Sequence, residues 1–284
     1  MNLLDDAARQ RLVDRFGPGV LDWCDRLPDL VATLLRRWSL TVESAVPGGT
    51  GRTLRCRNRT GGLVVLKLTP DPAIAATEAA ALHAWAGCDR VVDLLDADVD
   101  AGAILLDGLV PGTRWRELGR AAEVLRQLDS APPPAGGFEP LTERVEFMFD
   151  LAGRRAAASP RVPAETADLL DRGRAAAWRL AADPPRVRLV HGDLHPGNLL
   201  DAGRGPVAID PRPSLGDPTF DAVDWVYLAG GPPEAGVEAV TRLVPEYDPD
   251  RLLRWSRALA ILVALPALRR GERPAGLLES ARRA

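Results

Sequence analysis

Residues 189–200 read LVHGDLHPGNLL. Two of the chain's three histidines, His191 and His195, stand here with Asp193 and Asn198 between two apolar runs. Such a segment is poor packing material and rich in groups that bind or transfer protons. Short apolar runs flank it, VRLV before and GPVAID after, each too short for anything but a strand or extended chain. The polar loop is therefore expected to be held between two buried segments, which is how a scaffold presents a site.

Composition sets the outer bounds. A chain of 284 residues, 46% hydrophobic and 26% charged, has the material for a sizeable core and the length for two lobes. Cys24, Cys56 and Cys88 are widely spaced, with no CxxC pair and no secretory leader ahead of them, and are read as reduced thiols of a cytoplasmic protein. Asn58-Arg59-Thr60 is then an accidental glycosylation sequon. No run reaches the length of a bilayer-spanning helix, so no membrane partner is expected. A net charge of −3 gives no electrostatic reason to expect nucleic acid and is permissive for a cationic small molecule. The chain is expected to act as a monomer.

Of the 36 basic residues, 35 are arginine, and Lys67 is the one lysine. A position that keeps lysine against such a drift is either a codon accident or a place where a compact ammonium is needed and a planar fork will not fit. Its surroundings bear on the choice. The first forty residues are helical in pattern, with Pro18 and Pro28 expected to break them into short pieces. Strand patterns follow in LTVESAVPGGTGRTLRCRN and GGLVVLKLTP, with tight turns at Gly48-Gly49-Thr50-Gly51 and Thr60-Gly61-Gly62. Lys67 lies on the last of these strands. DPAIAATEAAALHAWAGC is an alanine-rich helix of about four turns in which Glu78 is the acid. Two more strands surround Asp100-Ala101-Gly102, and LVPGTRW looks like a hinge. The expected division is an N-terminal nucleotide-binding lobe with leading helices over 1–107, a hinge over 108–113, and a helical C-terminal lobe over 114–284. Helices are expected near 114–130, 140–158, 162–182 and 219–230.

Asp193, Asn198 five residues later, and Asp210 at the end of GPVAID form the set used in metal-assisted phosphoryl transfer. In such sites one acid orients and accepts the proton of the attacking hydroxyl, while the asparagine and the other acid hold Mg2+, a hard cation suited to oxygen ligands. Lys67 can reach the α- and β-phosphates, and Glu78 can fix that lysine as an ion pair. Gly48, Gly49 and Gly51, placed before Lys67, would let backbone amides cover the phosphates.

This constellation resembles the aminoglycoside phosphotransferase branch of the protein-kinase-like fold. HGDLHPGN is similar to that family's catalytic loop, and AIDPRPSLGDPTFD to its aminoglycoside and hydroxyurea phosphotransferase group, over roughly residues 40 to 230. The resemblance implies an α+β, two-lobed fold with a small, mostly β N-terminal lobe. It implies ATP and Mg2+ as cofactors, with Asp193 catalytic, Asn198 and Asp210 on the metal, and Lys67, Glu78, the three glycines, Asp107 and Leu109 on the nucleotide. It implies phosphorylation of a hydroxyl on a small cationic molecule, a streptomycin-type aminoglycoside first and an amino sugar or related metabolite second. DWVYLAGG after the acidic stretch departs from the family's pattern, and the acceptor depends on that part of the chain.

Two other classes compete. His191-x-Asp193-x-His195 could ligate zinc in a hydrolase, although zinc takes three or four protein ligands and the third histidine, His83, is far away in sequence. A nucleotide-binding module without catalysis would fit had Lys67, Asp193, Asn198 or Asp210 been lost. Both histidines are expected to bond the loop backbone, and Asp217 and Asp221 to be structural, since in the fold the chain resembles the acid after GDP tethers that loop. Trp115, Trp225 and Trp255 are expected in the core rather than stacked on a ligand.

Overall fold

The computed structural model describes residues 3–46, 51–228 and 232–284. Gly48 and Gly49 lie outside the described residues. The chain divides into two compact units, Met1–Thr113 with Asp201–Arg204, and Arg114–Leu200 with Gly205–Ala284.

The first unit opens with helix α1 (Asp6–Phe16), capped by the Asp5 side chain accepting from Ala8 N, then a 3-10 turn at Pro18–Val20 and helix α2 (Leu21–Arg37). Pro18 breaks the helical run, but Pro28 lies inside α2, contrary to the sequence expectation. Cys24, Leu27, Val31 and Leu34 recur at helical spacing on one buried face of α2, and that burial outweighs the lost backbone bond. The strands β1 (Thr41–Val46), β2 (Arg52–Arg57) and β3 (Leu63–Leu68), helix α3 (Pro72–Ala84), and strands β4 (Leu94–Asp98) and β5 (Ala103–Asp107) follow. They form one antiparallel sheet in the order β1-β2-β3-β5-β4. The turn between β2 and β3 is organised by Asn58, whose Oδ1 accepts from the amides of Thr60 and Gly62.

Alternation along β3 decides what each sheet face does. Val64, Leu66 and Leu68 join Leu54 and Cys56 in a core shared with Leu12, Leu27 and Leu34 of the leading helices, so α1 and α2 cover one side of the sheet. Lys67 points to the other side.

The second unit is mainly helical: α4 (Leu118–Ser130), α5 (Leu141–Ala157), α6 (Thr166–Ala182), α7 (Val223–Val226), α8 (Pro233–Leu243), α9 (Pro249–Arg270) and α10 (Ala275–Arg282). Between α6 and α7 run four short strands, β6 (Arg188–Val190), β7 (Leu199–Asp201), β8 (Pro206–Ala208) and β9 (Ser214–Gly216), paired β6 with β9 and β7 with β8. Over 219–228, the described part of the helix expected near 219–230, the chain instead forms a 3-10 turn, Pro218–Ala222, running into the single turn of α7. Tertiary bonds take over there: Asp217 caps that turn at Thr219 N while its carboxylate accepts from Arg251 Nε (2.5 Å) and Trp255 Nε1 (2.6 Å). Trp225 and Trp255 are fully buried. Trp115 is only half-buried, its indole donating to the Glu117 carbonyl beside the Arg120 guanidinium, so the core assignment fails for this one. No helix among the described residues is long and apolar enough to cross a membrane.

Candidate active site

In the first unit, the ammonium of Lys67 donates to both carboxylate oxygens of Glu78, at 2.6 Å each. Lys67 sits on β3 between Thr53 of β2 and Ile104 of β5, so its Cα is fixed from both sides. Glu78 is 2% exposed on the alanine-rich α3, and a carboxylate buried to that degree requires a cation. Gly51 is held against the end of β3: a Cβ there would lie 2.1 Å from the Leu68 carbonyl oxygen, so only glycine fits. Asp107 ends β5, exposed, with its amide bonded to the Asp93 carbonyl, and Leu109 is half-buried two residues on.

In the second unit, the opening motif forms a loop between β6 and a 3-10 turn, Pro196–Asn198. Asn198 closes it by donating from Nδ2 to the main-chain oxygen of Asp193 (2.9 Å) and more weakly to Asp193 Oδ2 (3.3 Å). The Asn198 amide is thus oriented by its NH2 end, leaving Oδ1 as the acceptor end. Asn198 O in turn accepts from Ile209 N (2.9 Å), and His191 O from Arg212 N (2.8 Å). These two bonds lace the Asp193 loop to the segment carrying Asp210. Gly192 has φ +75, and a Cβ on it would meet the Arg212 carbonyl at 2.0 Å. Asp210 itself has φ +57, left-handed backbone for which aspartate is among the better-tolerated side chains. Strain of this kind persists where surrounding structure over-determines it, as the lacing does here. Arg212 Nη2 lies 3.3 Å from Asp210 Oδ1.

Both histidines are committed to the loop. The buried His191 ring donates from Nε2 to the Ile209 carbonyl (3.1 Å), and burial lowers it to about 3, so it is neutral. His195 Nδ1 accepts from Gly197 N (2.9 Å). Among the described residues, no cluster of three or more His, Cys, Asp or Glu side chains is placed to hold a metal ion. Asp221 accepts from the amides of His191 (2.6 Å) and Gly192 (2.8 Å), a two-pronged tether. Trp225 adds a third anchor, donating from Nε1 to the Leu194 carbonyl (2.8 Å). Sequence reasoning missed Arg144 of α5, which donates to the Gly192 carbonyl and approaches Asp193 Oδ1 to 3.7 Å. Nothing in the local pattern of α5 marks it, because its partners lie 48 and 49 residues away.

Burial pushes Asp221 up to about 7, against the pull of the two amides. Asp221→Asn is expected to lower unfolding free energy by about 1–3 kcal/mol, since the amide can accept from one backbone N–H and turns a donor toward the other. The folded value lies above the unfolded one, so folding takes up a proton between about pH 4 and pH 7. This group's contribution therefore grows as pH falls through that window. In urea titrations, the gap between native chain and variant should widen from pH 8 to pH 5. A gap below roughly 0.5 kcal/mol at both ends would remove Asp221 from this role.

The fold that carries these residues is protein-kinase-like. Choline kinase LicA from Streptococcus pneumoniae superposes with a TM-score of 0.63 at 15% identity, covering 91% of this chain and 97% of that one. LicA in complex with AMP gives 0.60 at 14% identity, covering 90% and 95%. Sequence similarity narrows this. The chain is 35% identical over 219 residues to a streptomycin 6-kinase of Streptomyces glaucescens, covering 72% of this chain and 68% of that protein. It is also 35% identical over 217 residues to a hydroxyurea phosphotransferase of Kitasatospora aureofaciens, covering 70% and 61%. Residues 37–271 match the model of the aminoglycoside/hydroxyurea antibiotic resistance kinases, and the chain belongs to that family. It is a phosphotransferase acting on hydroxyl groups.

Proposed function

We propose that the chain transfers the γ-phosphoryl group of ATP to a hydroxyl of a small cationic acceptor, with a streptomycin-type aminoglycoside first. The observation that carries this reading is the loop geometry: the Asp193 carboxylate stands on a backbone fixed by Asn198 and Asp221, laced to the segment that carries Asp210. Asp193 orients the acceptor hydroxyl and takes its proton as the oxygen attacks phosphorus. Lys67, aimed by Glu78, pairs with the α- and β-phosphate oxygens, and its compact ammonium explains why lysine stands there in an arginine-rich chain. Gly48, Gly49 and Gly51 supply backbone amides to the phosphates, and Asp107 and Leu109 belong to the nucleotide's surroundings.

Asn198 Oδ1 and the Asp210 carboxylate are hard oxygen donors, two in number. That suits a magnesium ion, which keeps its remaining positions for water and phosphate. Bound there, the ion would neutralise charge developing on the phosphoryl oxygens. Support for the acceptor comes from the similarity to a protein named streptomycin 6-kinase. On this reading the chain works as a monomer in the cytoplasm on a small molecule, without nucleic-acid or membrane partners, its hinge at 108–113.

A coupled ADP-release assay with streptomycin, other aminoglycosides, hydroxyurea and amino sugars tests it. Streptomycin should give the highest kcat/KM, and excess EDTA should abolish release. Metal-dependent nucleotide binding without acceptor-dependent release would leave a silent nucleotide-binding module in its place. Highest kcat/KM with an amino sugar would move the acceptor to the small metabolites.

A further inference from the structure

Gly192 is the hub on which the Asp193 loop turns. Its amide is anchored by Asp221, and a Cβ on it would meet the Arg212 carbonyl at 2.0 Å, so the backbone passes close to the Asp210–Arg212 segment there. Between these anchors and the bonds that Asn198 and His195 make to the Asp193 carbonyl lies the Gly192–Asp193 peptide plane, which sets the direction in which the Asp193 side chain leaves the backbone. Arg144 grips this plane at its carbonyl. Its guanidinium donates from Nε (3.1 Å) and Nη2 (3.0 Å) to the same Gly192 oxygen, with Nη2 3.7 Å from Asp193 Oδ1. The side chain is 14% exposed and its guanidinium carbon lies 5.8 Å from the Phe147 ring centroid, a second contact on the fork. Leu141, Val145 and Phe149, buried on the neighbouring stripe of α5, fix the helix that delivers it.

We propose that Arg144 is the positioning residue of the Asp193 loop: it locks the Gly192–Asp193 peptide and thereby aims the carboxylate, without touching substrate. A planar fork that grips one oxygen through two donors resists rotation of the plane, and a single ammonium cannot do so. The consequence for turnover rests on Asp193 being the base; the consequence for the loop does not.

The test therefore reads both, on the full chain with Arg144→Ala and Arg144→Lys and with Arg283→Lys as surface control. Amide hydrogen exchange of the segment spanning 189–200 should quicken about tenfold or more in Arg144→Ala and less in Arg144→Lys. Turnover number should fall about 10- to 100-fold in Arg144→Ala, with KM for ATP and acceptor within about threefold, since misaiming a group costs rate rather than binding. Arg144→Lys should recover part of it, and millimolar guanidinium ion should restore part of the alanine variant's rate without speeding the native chain. Exchange and turnover both within about twofold of native would overturn the proposal. So would faster exchange with unchanged turnover, which would leave Arg144 a packing residue. Should the native chain act on no acceptor while exchange still quickens in Arg144→Ala, the proposed transfer reaction falls, and the anchoring of the loop stands.

Discussion

Asp193→Asn protein should fold, bind nucleotide and turn over about 10²–10⁴ times more slowly than the native chain, the range for loss of a positioned general base. Asparagine has the shape of aspartate but cannot take a proton. The loop should survive, because Asn198 holds the Asp193 main-chain oxygen, a bond that the substitution does not touch. What goes is one of two weak contacts, the 3.3 Å bond from Asn198 or the 3.7 Å pairing with Arg144, together with the charge, on a carboxylate 38% exposed. A half-exposed pair of this kind contributes at most about 1 kcal/mol to stability, so thermal midpoints should stay within a few degrees. Single-turnover phosphoryl transfer, measured beside thermal unfolding, separates the two effects. Retention of more than roughly a tenth of native turnover would take the base role away from Asp193.

The second large effect is expected at Asp210, and the backbone dictates which substitution is informative. At φ +57 an alanine would add strain of about 1–2 kcal/mol on top of any loss of charge, whereas asparagine tolerates left-handed backbone nearly as well as aspartate. Asp210→Asn therefore removes one formal charge, and with it the ion pair to Arg212, without adding backbone strain. Turnover should fall about 10²–10³-fold at ordinary magnesium, the usual cost of losing a group aimed at developing charge, and excess magnesium should restore part of it. Asn198→Ala should shift the magnesium requirement in the same direction by less, since it gives up a neutral donor. A magnesium titration of turnover decides the matter: a midpoint identical to that of the native chain would detach Asp210 from the metal.

The candidate site's loop was legible in the sequence because its groups are close along the chain: Asp193, Asn198 and Asp210 span 18 positions, and that spacing points to one chemistry. The first unit was legible for another reason, alternation and turn residues, which placed β2, β3 and β5 and put Lys67 on a strand. What escaped was set by contacts distant in sequence. Pro28 reads as a helix breaker until the buried face of α2 is seen packed on the sheet. The stretch after Asp217 reads as helix until Arg251 and Trp255 claim that carboxylate. Trp115 was assigned to the core on residue type alone, and residue type does not say that its indole is satisfied locally by Glu117. Arg144 is one arginine among 35, and only the fold distinguishes it.

The Lys67–Glu78 pair has a practical side that concerns reagents rather than catalysis. Because the chain holds one ε-amine, an acylating or aldehyde reagent aimed at lysine side chains meets a single address, partly shielded at 21% exposure and bonded to a carboxylate. In most proteins such labelling scatters over dozens of surface positions and reports on none. Once the α-amine's label is subtracted, the added mass counts one location, and its rate becomes a gauge of how tightly Glu78 and any bound phosphate hold that nitrogen.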